Sequence, residues 1–277
     1  MLNQSKIDTQ KYWENYTGKE GWATWDGYGL YADDHNSRVR INYTYYNSWP
    51  LMQRIIAWYQ EIDPDGRHCD YSVIDDGSQK DSIKDHLNDI PDHWKVYLIP
   101  EDMGWNNEGA RNCLMKETNN KWNLLLDSDY VITQNNLKKI VQAAGSNWLD
   151  NHTMYYPGNF GPSQGRNSYL ITKQEFWRRG GYDQCFIGYH GNDYSMHRFD
   201  EKYDHSDFFR FCRIETDVVS PEEKDRMNEV MRFHNHMKDL EAKGYGYRNP
   251  QDKQDFNWTD MKARKTHWKS IDYKRIK

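Results

Sequence analysis

The sequence contains no long apolar run. Nothing approaches the roughly 18 consecutive apolar residues of a membrane-spanning helix, so no transmembrane segment is expected. The opening residues, MLNQSKIDTQKYW, lack the apolar stretch of a secretory signal. Cysteine is scarce: Cys69, Cys113, Cys185 and Cys212 lie far apart and form no Cys-x-x-Cys pair. They read as separate free thiols in a reducing compartment, which points to the cytoplasm. No charge of one sign dominates either. Lys and Arg number 37 against 42 Asp and Glu, a net charge of −5 that argues against a bulk nucleic-acid binder and leaves only a local basic patch open. Hydrophobic residues make up 36% and mean hydropathy is −1.13. Even so, the chain holds 12 Trp and 21 Tyr. Disordered chains are poor in aromatics, so these point to a folded domain with a wet, ring-lined surface or cleft. The 277 residues suffice for one large α/β domain, or two small ones, with a substantial core.

Residues 1–37 are polar and aromatic, with glycines that break any period, and read as an irregular N-terminal extension. From Arg38 the chain turns regular. Val39, Ile41, Tyr43 and Tyr45 alternate with polar residues as in a strand. Ser48 is a candidate N-cap with Pro50 in the first turn, and Leu51, Ile55, Trp58, Tyr59 and Ile62 then recur at helical spacing. A short strand around Tyr71–Ile74 ends at Asp75-Asp76-Gly77-Ser78; a polar helix over about 80–88 and a strand over 96–99 follow. Next come a helix from near Asn107, a strand over 122–126 that stops at Asp127-Ser128-Asp129, and a helix over 134–144. The alternation β-α-β-α-β-α-β-α specifies a parallel sheet covered by helices. Ligands of such sheets bind beyond the carboxyl ends of the strands, where both acidic clusters fall. After residue 150 the chain becomes turn-rich, with a strand over 168–172, a short helix over 173–179 and glycine-flanked loops. From Met261 the end of the chain is basic.

Four constellations carry chemistry, each with a plainer alternative. Asp127 and Asp129 could converge at a turn as hard oxygen ligands for Mg²⁺ or Mn²⁺ on a diphosphate, or form a solvated turn. The carboxylates of Asp75 and Asp76 could accept hydrogen bonds from a nucleobase imide or a ribose, or belong to an Asp-Gly turn that caps a helix. Arg111, early in a helix opened by Gly109-Ala110, could hold phosphate, or be a surface arginine. Asp193, after the Gly188–Gly191 loop, could act as a general base, or cap a helix.

Taken in order, Ile41–Asn47, Val73–Ser78, Gly109–Asn112, Leu125–Asp129 and Gly180–Asp183 with Gly191–Asp193 resemble the GT-A-fold glycosyltransferases, particularly the large inverting family 2 and its galactosyltransferase-like relatives. The resemblance implies an α/β GT-A fold, a Rossmann-like, mostly parallel central sheet flanked by helices, with a smaller acceptor-side subregion. It divides the chain into a glycosyltransferase domain over 38–245, with a nucleotide-binding half over 38–150 and an acceptor-side half over 151–245, followed by a basic tail over 246–277. Thr44 and Asp76 would meet the nucleotide base and ribose, with Tyr46 nearby, and Arg111 would help hold the nucleotide. Asp127 would approach the ribose or the metal, and Asp129 would ligate Mn²⁺ or Mg²⁺ on the diphosphate. Asp193 would deprotonate the acceptor hydroxyl. His234, and after it His236, matches a segment where some relatives carry a metal-binding histidine, although Met227, Val230, Met231 and His234 also fit one helix face. Two departures stand out: no proline precedes the asparagine of the first strand, and Asn192 occupies a position where relatives carry Glu.

The implied activity is inverting transfer of a sugar from a nucleotide-diphosphate sugar, a UDP-sugar first, to an acceptor hydroxyl on a glycan. Trp105, Trp177, Tyr182, Phe186 and Tyr189 flank the motifs as candidate rings for stacking on that acceptor. A sugar nucleotidyltransferase would need a glycine-rich loop after the first strand, where Tyr45-Tyr46-Asn47 stands instead. A non-catalytic nucleotide-sugar or carbohydrate-binding module fits less well with retention of Asp127, Asp129 and Asp193. The basic tail is expected to be solvated, with weak contact to an anionic surface as the alternative.

Overall fold

The computed structural model describes residues 38–102, 106–146, 148–157, 168–182 and 271–277, together with the backbone of two short strands at 203–204 and 211–213. The first regular element is strand β1 (Val39–Tyr45), and all seven of its residues are buried. Alternation in the sequence suggested a strand wet on one face. Instead, Val39, Ile41, Tyr43 and Tyr45 join the main apolar core, and Arg40, Asn42 and Thr44 are buried on the other side. Asn42 satisfies itself within the sheet: its amide donates to the Arg40 carbonyl and its oxygen accepts from Ser72 Oγ at 2.7 Å.

Helix α1 (Trp49–Ile62) covers the apolar face with Leu51, Met52, Ile55, Ile56, Trp58, Tyr59 and Ile62. Pro50 lies in its first turn, but Ser48 makes no side-chain cap; Asp81 accepts the Trp49 N–H at 2.8 Å instead. Strand β2 (Cys69–Asp76) and strand β3 (Trp94–Ile99) flank a 3-10 helix at Ile83–Asp89, where an α-helix over about 80–88 was expected. Ile83 is buried and Leu87 packs half-buried on the same core, while the polar residues of the segment face out. Helix α2 (Asn107–Glu117), strand β4 (Trp122–Leu126), strand β5 (Tyr130–Ile132) and helix α3 (Gln134–Gly145) complete the alternating half. Strands β6 (Met154–Tyr155) and β7 (Tyr169–Thr172), helix α4 (Lys173–Arg178), and strands β8 (Tyr203–Asp204), β9 (Phe211–Arg213) and β10 (Lys274–Arg275) follow.

The sheet runs β10-β3-β2-β1-β4-β7-β6-β8, and β5 pairs with β9 in a separate ribbon. β3, β2, β1 and β4 are parallel, as the alternation of strand and helix requires. The direction reverses at β4–β7, and β10 is antiparallel to β3, so the margins are mixed. No helix among the described residues is long and apolar enough to cross a membrane.

The expectation of a solvated basic tail is corrected for residues 271–277. β10 covers the edge of β3 with Lys274 opposite Leu98 and Arg275 opposite Tyr97. The Lys277 ammonium donates to the carbonyls of Leu87 and Ile90, and Tyr273 O–H donates to Glu117. A sheet edge offers unpaired N–H and C=O groups, and a short strand with cationic side chains closes it while resisting further pairing. Ile271 meanwhile packs on the first turn of α2. A Cβ added at Gly109 would fall 2.2 Å from Ile271 Cδ1 and 2.8 Å from the Asn106 side chain. Gly109→Ala is therefore expected to cost about 1–3 kcal/mol by overpacking. Ile271→Ala in the same chain should recover part of that loss in urea denaturation, whereas strict additivity would separate the two residues energetically.

Candidate active site at the carboxyl ends of the strands

The two carboxylates at the end of β2 divide their roles because successive strand residues face opposite sides of the sheet. Asp75 is a structural cap: it accepts from Ser78 N–H at 2.8 Å, and from Ser82 Oγ and Ile83 N–H at 2.9 Å each. Asp76 lies on the α2 side with Ile74, which packs against Ala110, Cys113 and Leu114. It is completely buried, and among the described residues neither carboxylate oxygen has a hydrogen-bond partner of normal geometry. Burial pushes its pKa well above the ordinary carboxylate value; the nearby Asn106 backbone amide offsets this in part, and Asp75 and Asp102 add to the rise. Gly77, at φ +77°, makes the turn that follows, and a Cβ there would meet the Glu101 carbonyl oxygen at 2.5 Å. Only glycine fits that close approach in a left-handed conformation.

Beside Asp76, at the end of β1, Thr44 Oγ1 donates to Asn107 Oδ1 and the Tyr46 hydroxyl donates to Asp102 Oδ1 at 3.1 Å. Asn107 opens α2, whose N-cap is Asn106: its side chain accepts the Gly109 N–H at 2.9 Å. Helical spacing then carries the buried polar residues Asn107, Glu108, Arg111 and Asn112 along one flank of α2. Arg111 donates from Nη2 to Asp127 Oδ1 at 2.7 Å and from Nη1 to the Tyr182 hydroxyl at 3.0 Å. Burial alone would lower its pKa, but Tyr182, Asp127 and Tyr169 outweigh burial and hold it raised, so it stays cationic.

Asp127 to Tyr130 form a turn closed by Tyr130 N–H on the Asp127 carbonyl at 3.0 Å. Aromatic side chains anchor it from beneath. Tyr43 O–H donates to the Tyr130 carbonyl at 2.8 Å, and Trp58 Nε1 donates to the Ile132 carbonyl at 2.8 Å. The Asp127 N–H is accepted by Ser168 Oγ at 3.0 Å. The turn thus presents the half-buried Asp127 and Asp129 on a fixed backbone. With strands about 4.8 Å apart, the ends of β2 and β4 lie about 10 Å from one another across β1.

Thr44, Tyr46, Asp76, Arg111, Asp127 and Asp129 therefore share one edge of the sheet. Asp193, His234 and His236 lie outside the described residues, as do Trp105, Phe186 and Tyr189. Two of the rings proposed for acceptor stacking are elsewhere. Tyr182 is buried against Phe176 and Arg111, because its backbone is clamped to α2: it donates N–H to Asn112 Oδ1 and accepts from Asn112 Nδ2, each at 2.9 Å. Trp177 lines a concavity with Asn119, Lys121 and Thr172, at the opposite end of β4 from Asp127. The sequence reading also passed over Asn107 and Ser168; the repeat of polar side chains at positions 107, 108, 111 and 112 was the available signal for Asn107.

The donor set can be tested against a nucleotide and a cation. Asp76 is a buried acceptor that no side chain among the described residues meets, which suits the imide or hydroxyl of a nucleoside. Asp127 and Asp129 are hard oxygen donors of the kind Mg²⁺ and Mn²⁺ prefer. No group of three His, Cys, Asp or Glu forms among the described residues, so Asp127 and Asp129 by themselves would make up only part of a coordination shell.

The family model for glycosyl transferase family 2 matches residues 43–205, more than half of the chain. The chain belongs to glycosyl transferase family 2. It is thus a glycosyltransferase domain by family, and its sheet is the GT-A fold. GalNAc-T7, solved with UDP, GalNAc and Mn²⁺, superimposes with a TM-score of 0.51 at 15% identity, over 83% of this chain and 54% of that one. The mannosyltransferase PcManGT from Pyrobaculum calidifontis, in complex with GDP-Man and Mn²⁺, gives 0.44 at 12% identity over 77% and 66%. S. aureus TarS gives 0.44 at 15% identity over 55% and 31%. This glycosyltransferase domain spans between about a third and two thirds of those structures. No curated protein matches it in sequence.

Proposed function

We propose that this glycosyltransferase domain is an active, metal-dependent, inverting enzyme that moves a sugar from a nucleotide-diphosphate sugar, a UDP-sugar first, to a hydroxyl of a glycan. The observation that carries the reading is the completely buried carboxylate of Asp76, which no side chain among the described residues pairs with, about 10 Å along the strand ends from the Arg111–Asp127 pair. That spacing offers one end for a nucleoside and the other for its phosphates. The UDP and Mn²⁺ of GalNAc-T7, on the same fold, support the choice of donor class.

In this reading Asp76 and Thr44 hold the base and ribose, with Tyr46 closing that side through Asp102. Arg111 fixes Asp127 and contributes positive charge near the phosphates. Asp129, with Asp127 beside it and His234 as a further ligand, would hold a divalent cation. When bound, that cation supplies neutralisation of the charge gathering on the leaving diphosphate. Asp193 takes the proton of the acceptor hydroxyl as its oxygen bonds to the anomeric carbon. The bond from that carbon to the diphosphate breaks, and its electron pair leaves with the nucleotide. The buried free thiols of Cys69 and Cys113 fit a reducing, cytoplasmic setting.

The test is a panel of nucleotide-sugars offered to the pure chain with and without Mn²⁺. One donor should raise the melting temperature and be cleaved to free nucleotide in the presence of a glycan. Asp129→Ala should abolish the Mn²⁺-dependent part of that shift. A parent chain indifferent to every donor, or an Asp129→Ala chain with the parent's metal response, would overturn the reading or this residue's part in it.

A further inference from the structure

Tyr169 and Tyr182 have no role in the reaction outlined above, yet their hydroxyls run directly into the candidate site. Tyr169 O–H donates to the Tyr182 oxygen at 2.6 Å, and that oxygen also accepts from Arg111 Nη1 at 3.0 Å. Arg111 Nη2 continues to Asp127 Oδ1 at 2.7 Å. Tyr169, Tyr182 and Arg111 are all nearly inaccessible to solvent, so water cannot substitute for any link among them. A buried guanidinium keeps one orientation only if acceptors hold it, because each N–H removed from water without a partner is costly. The Tyr182 oxygen is such an acceptor, and a phenylalanine ring would have none to offer.

The same corner of the fold holds Asp127 a second time. Ser168, which accepts the Asp127 N–H, directly precedes Tyr169 in the chain. Asp127 is therefore fixed at its backbone by Ser168 and at its carboxylate by Arg111, whose orientation depends on Tyr182 and then on Tyr169. Tyr182 is held in turn by the glycine turn before it. Gly180 and Gly181 have φ of +91° and +66°, and a Cβ on Gly181 would strike Asn112 Oδ1 at 2.9 Å and Trp177 at 2.8 Å. That turn leads into the segment that carries Asp193.

We propose that Tyr169 and Tyr182 are positioning residues for the donor site: they orient Arg111, and through it Asp127, so that donor binding depends on docking of the Gly180-Gly181-Tyr182 turn against α2. The part concerning the donor rests on the function proposed above, whereas the coupling among these side chains does not. Tyr182→Phe retains the ring against Phe176 and Arg111 and keeps both backbone bonds to Asn112, so it removes the oxygen alone.

Two measurements on the full chain test the proposal. Without ligand, urea midpoints are compared for the parent, Tyr182→Phe, Asp127→Asn and the double variant. The double variant should be displaced less than the sum of the single ones, because both act on Arg111; additive displacements would overturn the chain of contacts. With donor and Mn²⁺, Tyr182→Phe should weaken donor affinity about tenfold and raise the donor KM with kcat within about twofold, the loss expected for one hydrogen bond to a charged group. Tyr169→Phe should show a smaller effect in the same direction, and the pair together no more than Tyr182→Phe alone. A purely structural role would lower the urea midpoint and leave the KM unchanged, which would overturn the positioning role. A parent chain that binds no nucleotide-sugar overturns the functional reading, while the ligand-free comparison still decides the coupling by itself.

Discussion

Asp76→Asn is expected to leave the ligand-free protein at least as stable as the parent while lowering its affinity for the donor about 10–100-fold. The carboxylate is buried among Ile74, the N-terminal turn of α2 and the loop after β3, where no donor of normal geometry meets it. Its folded pKa is raised above the unfolded value, so the native state retains a proton that the unfolded chain has released. Stability from this group is therefore complete below the ordinary carboxylate pKa. It is lost as pH rises from there through the raised value, with a slope of at most about 1.4 kcal/mol per pH unit. Asparagine has no such proton. The two proteins should unfold alike in acid, and the variant should pull ahead as the pH climbs. Urea denaturation at several pH values, paired with calorimetric titration of the donor, checks both halves. Parent-like affinity together with a parent-like pH slope would remove Asp76 from the binding machinery.

Asp193→Asn is expected to bind donor as the parent does and to lose about 10²–10⁴-fold in kcat, the range for removal of a general base. Asparagine matches aspartate in shape but cannot accept the acceptor's proton. Its effect should therefore fall on kcat and kcat/KM for the acceptor, with the donor's thermal shift intact. The contrast with Asp129→Ala is diagnostic, because that variant should fail at donor binding and never reach the chemical step. If Asp193→Asn turned over at the parental rate, the base would have to be sought elsewhere in the acceptor-side half.

Much of the architecture over residues 38–145 was legible because it rests on local signals. Apolar runs such as Leu124-Leu125-Leu126 stop abruptly at acidic turns, and the strand–helix alternation between them fixes a parallel order. What could not be read was which way adjacent side chains face. Asp75 and Asp76 are chemically identical neighbours, yet one caps the chain that follows it and the other is buried on the α2 side of the sheet, a distinction set by strand pairing. Tyr182 was a candidate for stacking on an acceptor because it flanks the motifs. Its burial comes from the side-chain amide of Asn112, 70 positions earlier, which pairs with its backbone as a neighbouring strand would. The 3-10 helix at Ile83–Asp89 shows the same limit, since its polar composition does not distinguish a 3-10 from an α-helix. The basic end of the chain misled for a simpler reason: the cationic residues that keep a tail in water also suit an edge strand.

That edge strand bears on how the molecule is assembled. Tyr273 meets Glu117 at a separation of 156 positions, and Ile271 leans on the turn of α2 beside Asn106. During synthesis residues 38–145 emerge from the ribosome long before β10 does, with the outer edge of β3 uncovered. Contacts between residues so distant in sequence form slowly, and an open strand rim is a site of misassociation in the interval. A nascent chain halted before residue 271 should therefore depend more on chaperones than one that includes β10.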